Sequence, residues 1–160
     1  MTMDEIFTGR FDVLPHLAPL LGAFLLALPI GLNREKAERT AGLRTFPLVA
    51  LAACGFVEST EALTVDSPEA MARIVEGIIV GMGFIGGGAI LRHHESVKGT
   101  ATAASLWVTG AIGAACGLGS FDVALVLAVV TIVTLWLLSP LKHNLVEERD
   151  GEAQADRDDR

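Results

Sequence analysis

Long apolar blocks separated by short polar segments make up most of the chain. Each block holds about 20 mostly apolar residues, the length that a helix needs to cross the hydrocarbon core of a bilayer. The apolar residues follow one another without the alternation that is typical of amphipathic elements. The pattern predicts five transmembrane helices, at about 14–33, 46–63, 70–91, 101–119 and 122–139. We therefore expect an all-α, polytopic membrane bundle in residues 1–140.

The ends of these blocks carry residues that start and stop helices. Ser67, Pro68 and Glu69 supply a cap, an early proline and a first-turn acid for the third helix, and Asp122 can cap the fifth. The few residues around Gly119 leave room only for a tight turn. The fourth and fifth helices should therefore form an antiparallel hairpin.

Lysine and arginine are distributed unevenly between the two sides that this topology creates. Ten of the 12 fall in the loop after the first helix, the loop after the third and the C-terminal tail, against Arg10 and Arg73 on the other side. The positive-inside rule then places the N-terminus outside and the C-terminus in the cytoplasm. The tail, residues 141–160, is short and highly charged, so we expect it to be disordered. The remaining charges nearly balance, and their pattern indicates no nucleic-acid partner.

Ionisable side chains are rare inside apolar helices, because each costs about 2.5–3.5 kcal/mol at the bilayer centre on insertion scales. This chain has Glu58 in the second predicted helix and both Arg73 and Glu76 in the third. One interpretation pairs Arg73 with Glu76, one helical turn away, near the membrane interface, which Glu58 also reaches. The other brings Glu58 and Glu76 together across a polar crevice, as a site for a cation or a proton. The residues do not specify which metal such a site would hold.

Glycine is concentrated in the third and fourth predicted helices. It recurs at the four-residue spacing that lets helix backbones touch, in the pairs Gly77 and Gly81, Gly83 and Gly87, and Gly113 and Gly117. Helix packing is one role for these residues. Three consecutive glycines at 86–88 exceed what one contact face needs, because successive residues point about 100° apart around a helix. The alternative is a helix that breaks there and exposes carbonyl oxygens.

Motifs of catalysis and cofactor binding are missing from the sequence. It has no P-loop, no HExxH, no nucleophile motif and no dinucleotide fingerprint. The two cysteines, Cys54 and Cys116, lie deep in apolar blocks and fit buried free thiols. The sequence therefore predicts neither an enzyme nor a cofactor-binding protein.

Three phrases in the sequence resemble the MgtC/SapB family. They are GLNRE at 31–35 followed by AGLRT at 41–45, then GFIGGGAI at 83–90, then VKGTATAASLW at 97–107. The resemblance implies a protein of the bacterial cytoplasmic membrane with about five helices. It also implies a link to magnesium limitation and acid tolerance, and a role in regulating other membrane proteins, of which the F-type ATP synthase is one. By this resemblance we expect the chain to hold the transmembrane domain alone, without the soluble C-terminal domain of virulence-associated members.

The resemblance also carries over particular residues as candidate functional positions. Matched by position, they are Arg34, Glu35, Gly42, Arg44, Thr45, Arg73, Gly83, Phe84, Gly86, Gly88, Gly99, Thr102 and Trp107. A buried Arg34 could pair with Glu35 or cap the end of the first helix. The sequence leaves two functions open, a non-catalytic regulator and a small transporter or channel for Mg²⁺ or protons. The expected partners are the lipid bilayer, other membrane proteins and a second copy of the chain.

Overall fold

The computed structural model describes residues 13–37, 41–64, 67–93 and 96–138. Within these residues the chain forms five helices and one short β-hairpin. In chain order they are α1 Leu14–Ala37, α2 Thr45–Thr64, α3 Pro68–Gly88, β1 Leu91–His93, β2 Ser96–Lys98, α4 Thr100–Gly117 and α5 Phe121–Leu138. The predicted all-α class is confirmed, and each predicted helix is present within a few residues of its expected position.

The third predicted helix requires a correction at its C-terminal end. α3 ends at Gly88, and Leu91 begins the first strand of the hairpin, so the helix does not reach residue 91. The N–H groups of Ala89 and Ile90 donate to the carbonyls of Gly86 and Gly87, at 3.0 and 3.2 Å. The three glycines therefore form the last turn of the helix, and α3 is not broken within its length.

Three of the helices in the described residues are long and apolar enough to cross a membrane: Leu14–Lys36, Pro68–Gly88 and Phe121–Leu138. The other two helices differ in composition: α2 carries Glu58 and Glu61, and α4 consists largely of small residues. The count of five spans and the orientation of the two termini stay predictions. The expected disorder of the tail falls on residues outside the described ranges.

α4 lies at the centre of the bundle and packs against α1, α2 and α3. More than half of its residues are buried, and most of these are small. A Cβ added to Gly113 would collide with the carbonyl oxygen of Ala50, and one added to Gly117 would lie 2.9 Å from the carbonyl oxygen of Cys54. The backbones of α2 and α4 therefore touch. The hydrophobic core of the bundle draws on all five helices and is rich in alanine: Ala23, Ala27, Ile30, Phe46, Ala50, Cys54, Met82, Leu106, Ile112, Ala115, Cys116, Ala124 and Ala128.

The same contacts fix the directions of the helices. Positions 113 and 117 of α4 meet α2 at 50 and 54, so these two helices run in the same direction. Positions 110 and 103 of α4 meet α3 at 82 and 86, so these two run in opposite directions. The residues that flank the α1–α2 connection and the two strands therefore lie at one end of the bundle, which we call the motif end (residues 33–37, 41–45, 89–93 and 96–100). The start of α1 and the α4–α5 turn lie at the other, the cavity end (residues 15–19, 58–61 and 117–119).

Candidate functional site

The motif end holds the matched residues of the first sequence phrase. The carboxylate oxygen Oε2 of Glu35, at the end of α1, accepts a hydrogen bond of 3.0 Å from the backbone N–H of Leu43. Gly42 lies so close that a Cβ on it would collide with the same oxygen. Glycine at 42 is therefore what allows the carboxylate to reach the backbone. This contact ties the end of α1 to the segment that leads into α2 at Thr45.

Arg34 is the most unusual side chain at this end, because it is buried with only 5% of its surface exposed. Its Nε and Nη2 atoms donate to the side-chain oxygen of Asn33, at 3.3 and 3.0 Å. No ion pair of Arg34 is found among the described residues, and Glu35 binds the backbone of Leu43 instead. The suggested ion pair between Arg34 and Glu35 is therefore absent, and Arg34 is hydrogen-bonded to the side-chain amide of Asn33 instead. Arg44 is exposed and Thr45 is half-buried.

The second and third phrases meet where α3 leads through the hairpin into α4. Gly99 has a positive φ of 88°, and a Cβ there would collide with the carbonyl oxygen of Ala89. Its carbonyl accepts the N–H of Ala103 at 2.8 Å, which closes the first turn of α4. The side chain of Thr102 is completely buried, whereas Phe84 and Trp107 are exposed by 87% and 50%.

A polar cavity of about 390 Å³ opens at the cavity end. His16 Nδ1, from α1, donates a hydrogen bond of 2.6 Å to Glu58 Oε2, from α2. The side chain of Glu58 is 14% exposed and that of His16 is 49% exposed. Glu61 lies one turn beyond Glu58 and also lines the cavity. The remaining walls come from Pro15, Pro19, Val57, Met71, Gly117, Leu118 and Gly119.

The structure does not bring Glu58 and Glu76 together at this cavity. Glu76 and Arg73 both lie on the exposed side of α3, and neither lines the cavity that holds Glu58. In the part of the chain that the structure describes, neither forms an ion pair, and no group of three His, Cys, Asp or Glu side chains is arranged to hold a metal ion. His16 is the partner that sequence reasoning missed. The available signal was a carboxylate inside an apolar helix, which requires a partner from another element.

The glycines with four-residue spacing fall into two groups. Gly113 and Gly117 contact α2, and a Cβ added to Gly86 would lie 3.3 Å from the carbonyl oxygen of Ala103 in α4. The other glycines of α3 have open space where a side chain would be: Gly77, Gly81, Gly83, Gly87 and Gly88. Helix packing within the chain therefore accounts for the glycines of α4 and leaves most of those in α3 unexplained.

Comparison with known proteins agrees with the sequence phrases. The model of the MgtC family matches residues 20–144. The chain is 41% identical over 129 residues to Protein MgtC of Salmonella typhimurium strain LT2, which covers 81% of this chain and 54% of that protein. It is 42% identical over 124 residues to Protein MgtC of Brucella abortus strain 2308, with 78% and 51% covered.

A third relative is covered over most of its own length. The chain is 37% identical over 145 residues to Protein SrpB of Synechococcus elongatus, which covers 83% of this chain and 80% of that protein. By contrast, the chain spans about half the length of the MgtC relatives it matches. No solved structure matches the chain. The apolar helices and these matches together show that the chain is a membrane protein and belongs to the MgtC family.

Proposed function

We propose that this protein is a multi-pass protein of the bacterial cytoplasmic membrane that regulates other membrane proteins and catalyses no reaction. The observation that carries the proposal is the close contact of α4, the central helix, with α2, whose backbone it touches at Gly113. Among the described residues, the buried polar side chains are Arg34 at the motif end and the hydroxyls of Thr102, Ser105 and Thr109. No carboxylate of the described residues is buried in the middle of the bundle between the two ends. A packed, uncharged centre suits a binding protein better than a conduit for ions.

The hydroxyls of α4 are satisfied within the chain. Ser105 donates to the carbonyl oxygen of Ala101 at 2.6 Å, and Thr109 donates to that of Ser105 at 2.8 Å. Such bonds to the preceding turn are common for Ser and Thr inside helices. The α2–α4 interface beside them is closed by backbone contact at Gly113. A cation crossing the bundle would therefore have to separate these helices.

The family relationship supplies the physiological setting of the proposal. Resemblance to the MgtC/SapB family implies a link to magnesium supply and acid stress, and we propose that this protein acts under those conditions. The five-span topology, with the motif end in the cytoplasm, follows from the positions of Lys and Arg. In that orientation the joined ends of α1 and α2 would face cytoplasmic parts of a partner.

Purification from native membranes tests the regulatory function. We expect the protein, extracted in mild detergent, to co-purify with at least one other membrane protein. Liposomes that contain this protein alone should pass Mg²⁺ and protons no faster than empty liposomes. Flux from the purified protein, together with no co-purifying partner, would contradict the proposal.

A second candidate function, cation transport, is favoured by the cavity around Glu58. Carboxylates and an imidazole at the mouth of an otherwise apolar bundle are typical of entry sites for cations or protons. Here Glu58, Glu61 and His16 line one cavity. Transport would require α2 and α4 to move apart, since the backbones of these two helices touch at Gly113 and Gly117.

Liposome flux measured on variants tests this second function. If transport occurs, Glu58→Gln should abolish it, because the amide cannot carry the charge that binds a cation. Glu69→Gln is the matched control, since Glu69 is exposed in the first turn of α3 and does not line the cavity. Flux that is equal in both variants would rule out Glu58 as part of the path.

A further inference from the structure

α3 lies at the edge of the bundle, and no other described part of the chain covers one complete side of it. Its buried residues are Met82 and Gly86. A position two residues from Met82 lies about 200° around the helix, which places Val80 and Phe84 opposite the core. These two side chains are 68% and 87% exposed.

The uncovered side has the spacing of a helix–helix seam. Arg73, Gly77, Val80, Phe84 and Gly87 follow one another at intervals of four, three, four and three residues. This is the heptad pattern by which two helices pack along a shared stripe. All five residues are exposed, and neither glycine has an atom within 4 Å of where its Cβ would be.

Phe84 is the large apolar side chain of the seam, and a second α3 would offer space for it. In a parallel pair of helices, a side chain at the position of Phe84 enters a hole formed by the facing residues equivalent to 80, 83, 84 and 87. Two of these four, Gly83 and Gly87, are glycines with open space around them. The hole that a second α3 would present is therefore wide enough for a phenylalanine ring.

Charges at the start of the seam also fit a second copy. Glu76 lies about 12 Å along the axis from Pro68 at 1.5 Å per residue, and it is exposed without an ion pair among the described residues. An uncompensated carboxylate against hydrocarbon is costly. Because two copies share one orientation in the membrane, a two-fold axis along the membrane normal brings the two Arg73 side chains together at the seam. Glu76 of each copy lies beside the seam, about one turn further along the helix, where the long Arg73 side chain of the other copy can reach it and offset the repulsion between the two arginines. One positive and one negative group per copy then form two reciprocal pairs.

We propose that two copies of this chain associate in the membrane through the seam of α3, formed by Arg73, Gly77, Val80, Phe84 and Gly87. Phe84 of each copy fills the space beside Gly83 and Gly87 of the other, and Arg73 pairs with Glu76 of the second copy. The inference goes beyond the regulatory function and does not depend on it, because it concerns contact of the chain with itself.

Disulfide cross-linking in native membranes tests the seam. Val80→Cys should give a covalent dimer on mild oxidation. Val126→Cys, on α5 and similarly exposed at 61%, should give no more dimer than the wild-type protein, whose two cysteines are buried. Equal yields from the two variants would overturn the proposal. So would cross-linking of Val80→Cys to a different protein alone.

Charge exchange tests the reciprocal pairs. Arg73→Glu and Glu76→Arg should each weaken dimerisation in detergent about tenfold, roughly the loss of two interhelical polar contacts. The double variant Arg73→Glu/Glu76→Arg should restore it, because the pairs form again with their signs exchanged. Circular dichroism checks that all three variants keep their helices. Dimerisation that is unchanged in the single variants, or not restored in the double one, would overturn the proposed pairing.

Discussion

α3 and α4 are both rich in glycine at the same spacing, yet the structure places their glycines in opposite surroundings. In α4, Gly113 and Gly117 lie against the backbone of α2. In α3, Gly77, Gly81 and Gly87 face open space. α4 is the most buried helix of the bundle, whereas α3 buries only two residues.

The difference shows what four-residue glycine spacing specifies. It specifies a helix face that another backbone can approach closely, but not where that backbone comes from. For α4 the neighbour is α2 of the same chain, and the contact holds the fold together. For α3 no such neighbour exists among the described residues, so the face is available to another protein in the membrane. Replacing single glycines with alanine separates the two cases, because alanine adds one methyl group and favours the helix by about 1 kcal/mol.

The largest effect is expected at Gly113. A methyl group there would collide with the carbonyl oxygen of Ala50, and backbone cannot move aside without separating α2 from α4. We expect Gly113→Ala to lower the free energy of unfolding by about 3 kcal/mol, at the upper end for overpacked sites. Denaturation in detergent, followed by circular dichroism, measures it. A loss no larger than that caused by alanine at Gly86 in α3 would show that α2 and α4 are not in backbone contact.

A smaller loss is expected at Gly110, where α4 meets α3. The added methyl group would lie 2.6 Å from Cγ of Met82. Methionine is flexible and can adopt another rotamer, so Gly110→Ala should cost about 1 kcal/mol. The double variant Gly110→Ala/Met82→Ala provides the control, since removing the methionine side chain removes the clash. If alanine at 110 destabilises equally in both backgrounds, Met82 is not its neighbour.

Replacing Gly86 with alanine should hardly change the stability of the protein. Its Cβ would lie 3.3 Å from the carbonyl oxygen of Ala103, a contact that is tight but needs a shift of only a few tenths of an ångström. The gain in helix propensity offsets this cost, so Gly86→Ala should change the free energy of unfolding by less than about 0.5 kcal/mol. The same denaturation assay applies. A loss as large as that of Gly113→Ala would mean that α3 packs against α4 more closely than the structure has it.

Replacing Gly87 with alanine should raise the free energy of unfolding, in contrast to the losses expected at Gly113 and Gly110. In the described part of the chain, no atom outside its own stretch of helix lies within 4 Å of the position of its Cβ. At dilutions where the protein is monomeric, Gly87→Ala should therefore raise stability slightly, by up to about 1 kcal/mol. The same substitution narrows the space that receives Phe84 of a second copy, so it should weaken dimerisation. Destabilisation of the monomer would show that Gly87 has a neighbour within the chain.

The positions of the helices could be predicted from the sequence because the bilayer imposes a length on each apolar block, and Ser67 caps α3 as expected. The expected cap of the fifth helix is wrong, because α5 begins at Phe121 and Asp122 lies within its first turn. The apolar pattern predicts that α3 continues to residue 91, beyond its end at Gly88. The reason is that Leu91 is as apolar as the helix before it, but it pairs with Lys98 in the hairpin. Hydropathy does not distinguish the last residues of a span from a short strand that follows it.

The candidate site was predictable only in part. Glu58 was identified because a carboxylate in an apolar helix is costly, but its partner His16 lies 42 residues away in the sequence. The residues next to Glu58 or His16 in the sequence do not indicate that these two side chains meet. Glu35 and Gly42 came from the family phrase, and only the structure shows why the two residues go together. Spacing also could not show which glycines meet a neighbour within the chain.

Site-specific photo-crosslinking in native membranes tests most directly whether the uncovered side of α3 meets protein. Benzoylphenylalanine would replace Phe84 in one variant and Trp136 of α5 in the other, two aromatic side chains that are 87% and 79% exposed. The account predicts that position 84 gives an adduct with the mass of two copies and that position 136 gives no protein adduct. Protein adducts at 136 alone, or at neither position, would contradict it.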